Sequence, residues 1–279
     1  MKFEKSFILE EGDALMKKAL ERAKAVIARD EIKIDDFVDL YGSERLSRDR
    51  RYVEQRERQF LERNSSETAK NAEWAKVFEA ILHEHGEQSN WFGAEATTLK
   101  TSRYDDIING VDELIEYQKE DSSLSFLALA VDATYSHETR GKLRRIKGEI
   151  DAGNLATIRY FAAENVDIKG ELKNIPHVIV GTDRSTLLEL SELWLQGKNG
   201  ELAIHPIQFQ ILEEIISQCE TFAAYAKKIG RTDIAEKYES AGRLIGEILK
   251  AKRSGIRDSG RRDSVFSSLK GDLSEFERI

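Results

Sequence analysis

Residues 105–147 read DDIINGVDELIEYQKEDSSLSFLALAVDATYSHETRGKLRRIK. Two apolar runs, 111–117 and 124–135, stand side by side. They are rich in Val, Ile, Leu, Tyr and Phe, and the polar segment QKEDSS separates them, the composition of two strands joined by a loop. Asn109-Gly110 marks a turn or bulge just before the first. Each run carries an acid where a strand should be apolar: Asp112 in the first, Asp132 in the second. Desolvating an unpaired carboxylate costs several kcal/mol, so a buried one must be paired, hydrogen-bonded or bound to a metal. Two carboxylates about 4 Å apart repel by roughly 1 kcal/mol in water and by about 4 kcal/mol at an effective dielectric of 20. A divalent cation removes that conflict. The competing explanation is structural: one Asp caps a strand end and the other accepts a backbone N–H. The metal explanation requires paired strands with both carboxylates on one face, roughly 4–5 Å apart.

Downstream, 138–152 has helical spacing, with Leu143, Ile146 and Ile150 on one face. Arg140, Lys142, Arg144, Arg145 and Lys147 surround that face, either to meet a phosphate backbone or as a solvated surface. Gly153-Asn154 is a helix stop. LATIRYF at 155–161 reads as a third strand and 178–180 as a fourth, followed by a helix over 185–196. This order is α/β in character. From His205 the pattern becomes a pair of amphipathic helices, a helical hairpin. Residues 253–279 are rich in Ser, Gly, Arg and Asp, the composition of a disordered tail, with Phe266, Leu269 and Phe276 as docking points.

Upstream, Leu15, Ala19, Ala23 and Val26 mark a first helix. The Arg-rich segment 44–63 offers a thin stripe of Tyr52, Val53, Phe60 and Leu61, and is either a solvated, ion-paired face or a phosphate contact. A helix then runs to Gly86 with Trp74, Val77, Phe78, Ile81 and Leu82 on its apolar face; Glu79 and Glu84 lie off that face on opposite sides. His83 and His85 do not share a face and read as surface residues.

The 279 residues suffice for one large domain or two small ones. Four regions are expected: N-terminal helices (1–65), a core (66–200), the hairpin (201–252) and the tail (253–279). A single cysteine, Cys219, excludes an internal disulfide and any multi-cysteine metal site, and its apolar neighbours suggest a buried helical thiol. No signal peptide opens the chain and no run approaches a membrane span, so a soluble cytoplasmic protein with no membrane partner is expected. A net charge of −8 rules out coating nucleic acid by bulk charge, and leaves such contact to a local basic patch.

At the Asp112 and Asp132 pair the sequence resembles the PD-(D/E)XK nuclease superfamily over roughly residues 70–196. GVDELIEY supplies the first acid and LALAVDATYS the second, and the helix with Glu79 and Glu84 occupies the upstream position that often adds a Glu. The resemblance implies a restriction-endonuclease-like core of α-β-β-β-α-β order, a mixed four-stranded sheet flanked by helices. It implies a metal-dependent nuclease in which Asp112, Asp132 and Glu79 hold Mg²⁺ or Mn²⁺ and DNA is the partner. The departure is at position 134, where Thr134 stands in place of the family's Lys. Some members carry that Lys on the neighbouring helix, which makes Lys142 the first candidate and Lys147 the second. Arg140, Arg144 and Arg145 would then contact the nucleic acid. Two other readings remain: an inactive nuclease-like fold kept for binding, with the hairpin as a protein-partner or self-association surface, and an unrelated α/β protein with structural acids.

Overall fold

The structure is a computed structural model that describes residues 2–63, 65–117, 127–135, 137, 139–163 and 168–279. It opens with α1 (Lys2–Asp30), a 3₁₀ turn at Ile34–Phe37, α2 (Val38–Tyr41), α3 (Ser43–Arg63) and α4 (Ser66–Gln88). Next come β1 (Ala96–Lys100), a π-helical turn at Asp105–Asn109, β2 (Glu113–Tyr117) and β3 (Leu127–Thr134). Then follow α5 (Arg140–Ala152), β4 (Ala156–Ala162), β5 (Lys169–Ile175) and β6 (His177–Gly181). The chain closes with α6 (Arg184–Leu195), α7 (Asn199–Ala203), α8 (Ile207–Lys228), α9 (Thr232–Gly255) and α10 (Ser264–Ser274). The fold is mixed α/β.

The main sheet has the order β1-β2-β3-β6. β1, β2 and β3 pair antiparallel, whereas β6 runs parallel to β3. A parallel neighbour needs a long crossover, and α5 with the β4–β5 hairpin supplies it. The two central strands stand where the apolar runs place them; the QKEDSS segment lies outside the described residues. The membership of the sheet differs from expectation. The expected third strand, now β4, leaves the main sheet and pairs with β5 in a separate two-stranded one. Its place is taken by β1, whose ATTLK sequence is too short and too polar to be read as a strand.

Alternation assigns the two faces of the sheet. Ile115, Leu129, Val131 and Ala133 enter the large core with Val77, Phe78 and Ile81 of α4. Leu114, Ala128 and Ala130 enter a smaller core with Ala156, Ile158 and Ile175 of the β4–β5 hairpin. Asp105 fixes that hairpin in place. Its buried carboxylate accepts the amides of Arg159 (2.7 Å) and Tyr160 (3.1 Å), together with Ser102 Oγ and Asn109 Nδ2. Gly110, at φ +67°, then turns the chain into β2, a conformation that costs other residues roughly 1–2 kcal/mol.

The C-terminal helices belong to the same large core. α8 is buried along most of its length, and its side chains close the edge of β6: Gln218 accepts from the amide of Ile179 (2.8 Å) and donates to its carbonyl (2.6 Å), while Glu214 accepts from Gly181 N (2.9 Å). The expected disordered tail is corrected. Asp263 caps α10 by accepting from Val265 N and Phe266 N, and Val265, Leu269, Leu273 and Phe276 are buried. Phe276 meets Phe222 of α8 at 4.8 Å between ring centroids. Ser- and Gly-rich composition hid an apolar stripe at helical spacing. Among the described residues, no helix is long and apolar enough to cross a membrane.

Candidate functional site

β2 and β3 place Asp112 against Asp132. The paired register ends at Glu113 and Val131; Asp112 is the next residue out, and Asp132 is near enough for its charge to act on Asp112. Asp112 N donates to Val131 O at 2.9 Å, and Asp112 Oδ2 accepts from Ala133 N at 2.8 Å, so both ends of the residue tie the strands together. Both acids are buried. The Asp112 carboxyl is held well above its ordinary range by burial and then by repulsion from Glu79, Asp132 and Asp106.

Glu79 approaches this pair from α4, while Glu84 does not. Glu84 accepts from Arg22 (3.1 Å) and from Trp194 Nε1 (2.7 Å), which ties α4 to α1 and α6. Glu79 forms a buried salt bridge with Lys100 Nζ at 2.5 Å, and Lys100 also donates to the carbonyl of Asp112. Burial raises the Glu79 pKa, with Lys100 opposing. Burial on its own would lower that of Lys100, yet it is raised, because Glu79, Asp112 and Glu113 surround it. Lys100, the last residue of β1, was missed. A lysine at a strand end carries no signal until the strand itself is recognised.

Lys142 is in the first turn of α5, where it pairs with Asp132 Oδ1 and donates to Ala133 O at 3.1 Å. Arg145 is 3.9 Å from Asp132 Oδ2. Its guanidinium lies over Gly110, where an added Cβ would come within 1.1 Å of it. The sequence-derived group therefore divides. Asp132, Lys142 and Arg145 come together beside Asp112, and Glu79 is linked to Asp112 through Lys100. Lys147 instead stacks over the Tyr225 ring at 5.2 Å. Arg140 is turned to α10, where it meets Asp272 and Glu275, each at 2.8 Å. Arg144 is exposed on α5.

The histidines depart from the surface reading. His85 is buried and bonds Ser89 Oγ at 2.8 Å. His83 bridges Glu113 (2.8 Å) and Asp30 (3.2 Å). Burial would lower its pKa, but Glu113 and Asp30 raise it to about 9. Only the approach of α1 and β2 to α4 creates that pair of partners.

The side chains present fit a divalent cation in a limited way. Mg²⁺ accepts one or two carboxylates and completes its shell with water and phosphate oxygens, and Asp112 and Asp132 provide such a pair. The crowded negative charge around Asp112 is what a cation would neutralise. Among the described residues, no group of three or more His, Cys, Asp or Glu side chains could hold a metal ion, and Glu79 is already paired with Lys100. Comparison with protein-family models, curated proteins and solved structures found no match.

Proposed function

We propose that the chain is a metal-dependent nuclease that hydrolyses phosphodiester bonds, with DNA as substrate, at the Asp112–Asp132 pair. The observation that carries this reading is the nearness of the two acids at the start of β2, where the Asp112 carboxylate accepts the amide of Ala133, the residue after Asp132, and Lys142 pairs with Asp132. Supporting it is the order α4, β1, β2, β3, α5, β6, which matches the α-β-β-β-α-β core of the resembled superfamily once the β4–β5 hairpin is set aside as an insertion. Asp112 and Asp132 would hold Mg²⁺ or Mn²⁺ through hard oxygen donors. When bound, such an ion lowers the pKa of water and stabilises charge on a phosphoryl group. Lys142 and Arg145 supply positive charge beside Asp132, where a phosphate oxygen would sit. Lys100 holds Glu79 and the Asp112 carbonyl and so fixes the end of β2.

A second reading, an inactive nuclease-like fold that binds without cutting, is favoured by one feature: Asp132 is already answered by Lys142 and Arg145 within the protein. Cleavage of plasmid and of end-labelled oligonucleotides in Mg²⁺, Mn²⁺ or chelator separates the two. The nuclease reading expects metal-dependent cutting that Asp112→Asn and Asp132→Asn abolish and Lys142→Ala lowers by roughly 10²-fold or more. Cutting that persists in the double Asp→Asn variant rejects it as a contaminant or a different site.

A further inference from the structure

α3 is the most arginine-rich helix in a chain whose net charge is −8. Leu46, Asp49 and Val53 turn inward, with Leu46 and Val53 in a small core with Phe37, Tyr104 and Tyr160. A different set faces water: Arg45, Arg48, Tyr52, Arg56, Phe60 and Arg63 are all exposed. They are separated by steps of three or four residues, the spacing that lines one face of a helix. The stripe contains four cations and two aromatic rings and no acid. Tyr52 is 44% exposed and Phe60 42%, large values for rings on a folded surface. Arg48 has a 3.6 Å contact with Glu44, and Arg45 lies over the Tyr41 ring at 4.7 Å.

The apolar periodicity of this helix placed Tyr52 and Phe60 in one stripe with Val53, and only Val53 goes inside. Two rings on the water side, eight residues or about 12 Å apart, with Arg56 between them, have the composition of a single-strand platform. Bases stack on exposed rings whatever their identity, and guanidinium groups follow the backbone. A duplex keeps its base faces stacked inside and offers nothing to these rings. On its other side the same helix reaches the segment that precedes the candidate site. Glu57, on the inward side of the same helix, holds Arg103 at 2.5 Å. Arg103 pairs with Asp106, which is among the charges acting on Asp112.

We infer that the exposed face of α3 binds single-stranded nucleic acid, with Tyr52 and Phe60 stacking on bases and Arg45, Arg48, Arg56 and Arg63 meeting phosphates. This deepens the nuclease reading by naming an unpaired strand as what the protein holds beside the site.

Binding can be read apart from cutting. Fluorescence anisotropy in chelator, on the full chain carrying Asp132→Asn, compares a 20-nucleotide oligothymidine with a blunt duplex of equal length. The oligothymidine is expected to bind at least tenfold more tightly. Tyr52→Ala with Phe60→Ala should weaken it by roughly tenfold or more, without changing the melting temperature, because both rings are outside the core. Arg48→Gln, Arg56→Gln and Arg63→Gln together should reduce the slope of log affinity against log salt by about 2, near 0.7 for each lost phosphate contact. Equal binding of duplex and single strand, or a ring-deleted variant that binds as the parent does, overturns the inference. Single-strand binding that follows this pattern in a protein that cuts nothing leaves the inference standing and rejects only the nuclease reading. Metal-dependent cutting with no role for the α3 side chains does the reverse.

Discussion

Asp112 and Asp132 were legible because a charge inside an apolar strand is conspicuous, and the pairing of β2 with β3 then brings Asp112 onto the backbone beside Asp132. Glu79 was legible only as one of two choices, since its selection over Glu84 depends on where α1 and α6 pack. Lys100 and His83 were not legible, because each is defined by partners far away in sequence. His83 leads to a pH prediction. Burial works against its charge, but Glu113 and Asp30 dominate and lift its pKa from 6.5 to about 9. A histidine with a raised folded-state pKa contributes stability that is fully present below pH 6.5 and is lost as pH rises through 9. His83→Gln is therefore expected to cost roughly 2–3 kcal/mol more at pH 6 than at pH 9.5. Urea unfolding of both proteins at the two pH values measures the difference, and a pH-independent penalty rejects the charged bridge.

At the scale of elements, long periodic helices and apolar strands could be read, and short polar ones could not. β1 and β5 escaped because neither ATTLK nor KGELKNI has a sustained apolar pattern; their strand character comes from neighbours that offer hydrogen bonds. α10 escaped for the opposite reason, its apolar stripe being diluted by serine and glycine. Its docking has a consequence at the candidate site. Thr139 Oγ donates to Asp272 at 2.6 Å and Arg140 Nε meets the same carboxylate at 2.8 Å, so α10 grips the start of α5, one turn from Lys142. Leu269→Ala should destabilise the protein by about 2–5 kcal/mol, the cost of a buried cavity, whereas removal of a side chain from a mobile tail would cost nothing. Amide exchange across 266–274 should show protection well beyond that of a frayed terminus. Fast exchange there, with an unchanged melting temperature for Leu269→Ala, would return this segment to the disordered class.

At the scale of the whole molecule, the Asp112 carboxyl is an electrostatic burden that the fold tolerates, and on the proposed metal reading a cation would lift it. The carboxyl of Asp112 is raised by burial and by Glu79 and Asp132. An acid with a raised folded-state pKa makes the fold less stable as pH climbs from the ordinary carboxylate range through that higher value. The metal-free protein should accordingly lose stability over that rise, and Mg²⁺ should recover it. A ligand that binds only the folded state adds RT ln(1 + [L]/Kd), roughly 1.4 kcal/mol at ten times Kd, which for a chain of this size is a rise in Tm of about 2–6 °C. The rise should be larger at pH 8 than at pH 5, where protons compete for the same oxygens. Asp112→Asn should remove both the metal response and part of the pH dependence. It should leave the metal-free protein as stable as before or more so, because the Asn oxygen can still accept from Ala133 N while the charge is gone. Asp132→Asn differs, since it strips Lys142 of its partner; with Lys142 partly in water, that loss is modest. Thermal melts of the three proteins with Mg²⁺ and with chelator, at both pH values, test the whole scheme. A wild type indifferent to Mg²⁺, together with a destabilised Asp112→Asn, would make Asp112 a structural strand tie through Ala133 and end the case for a metal.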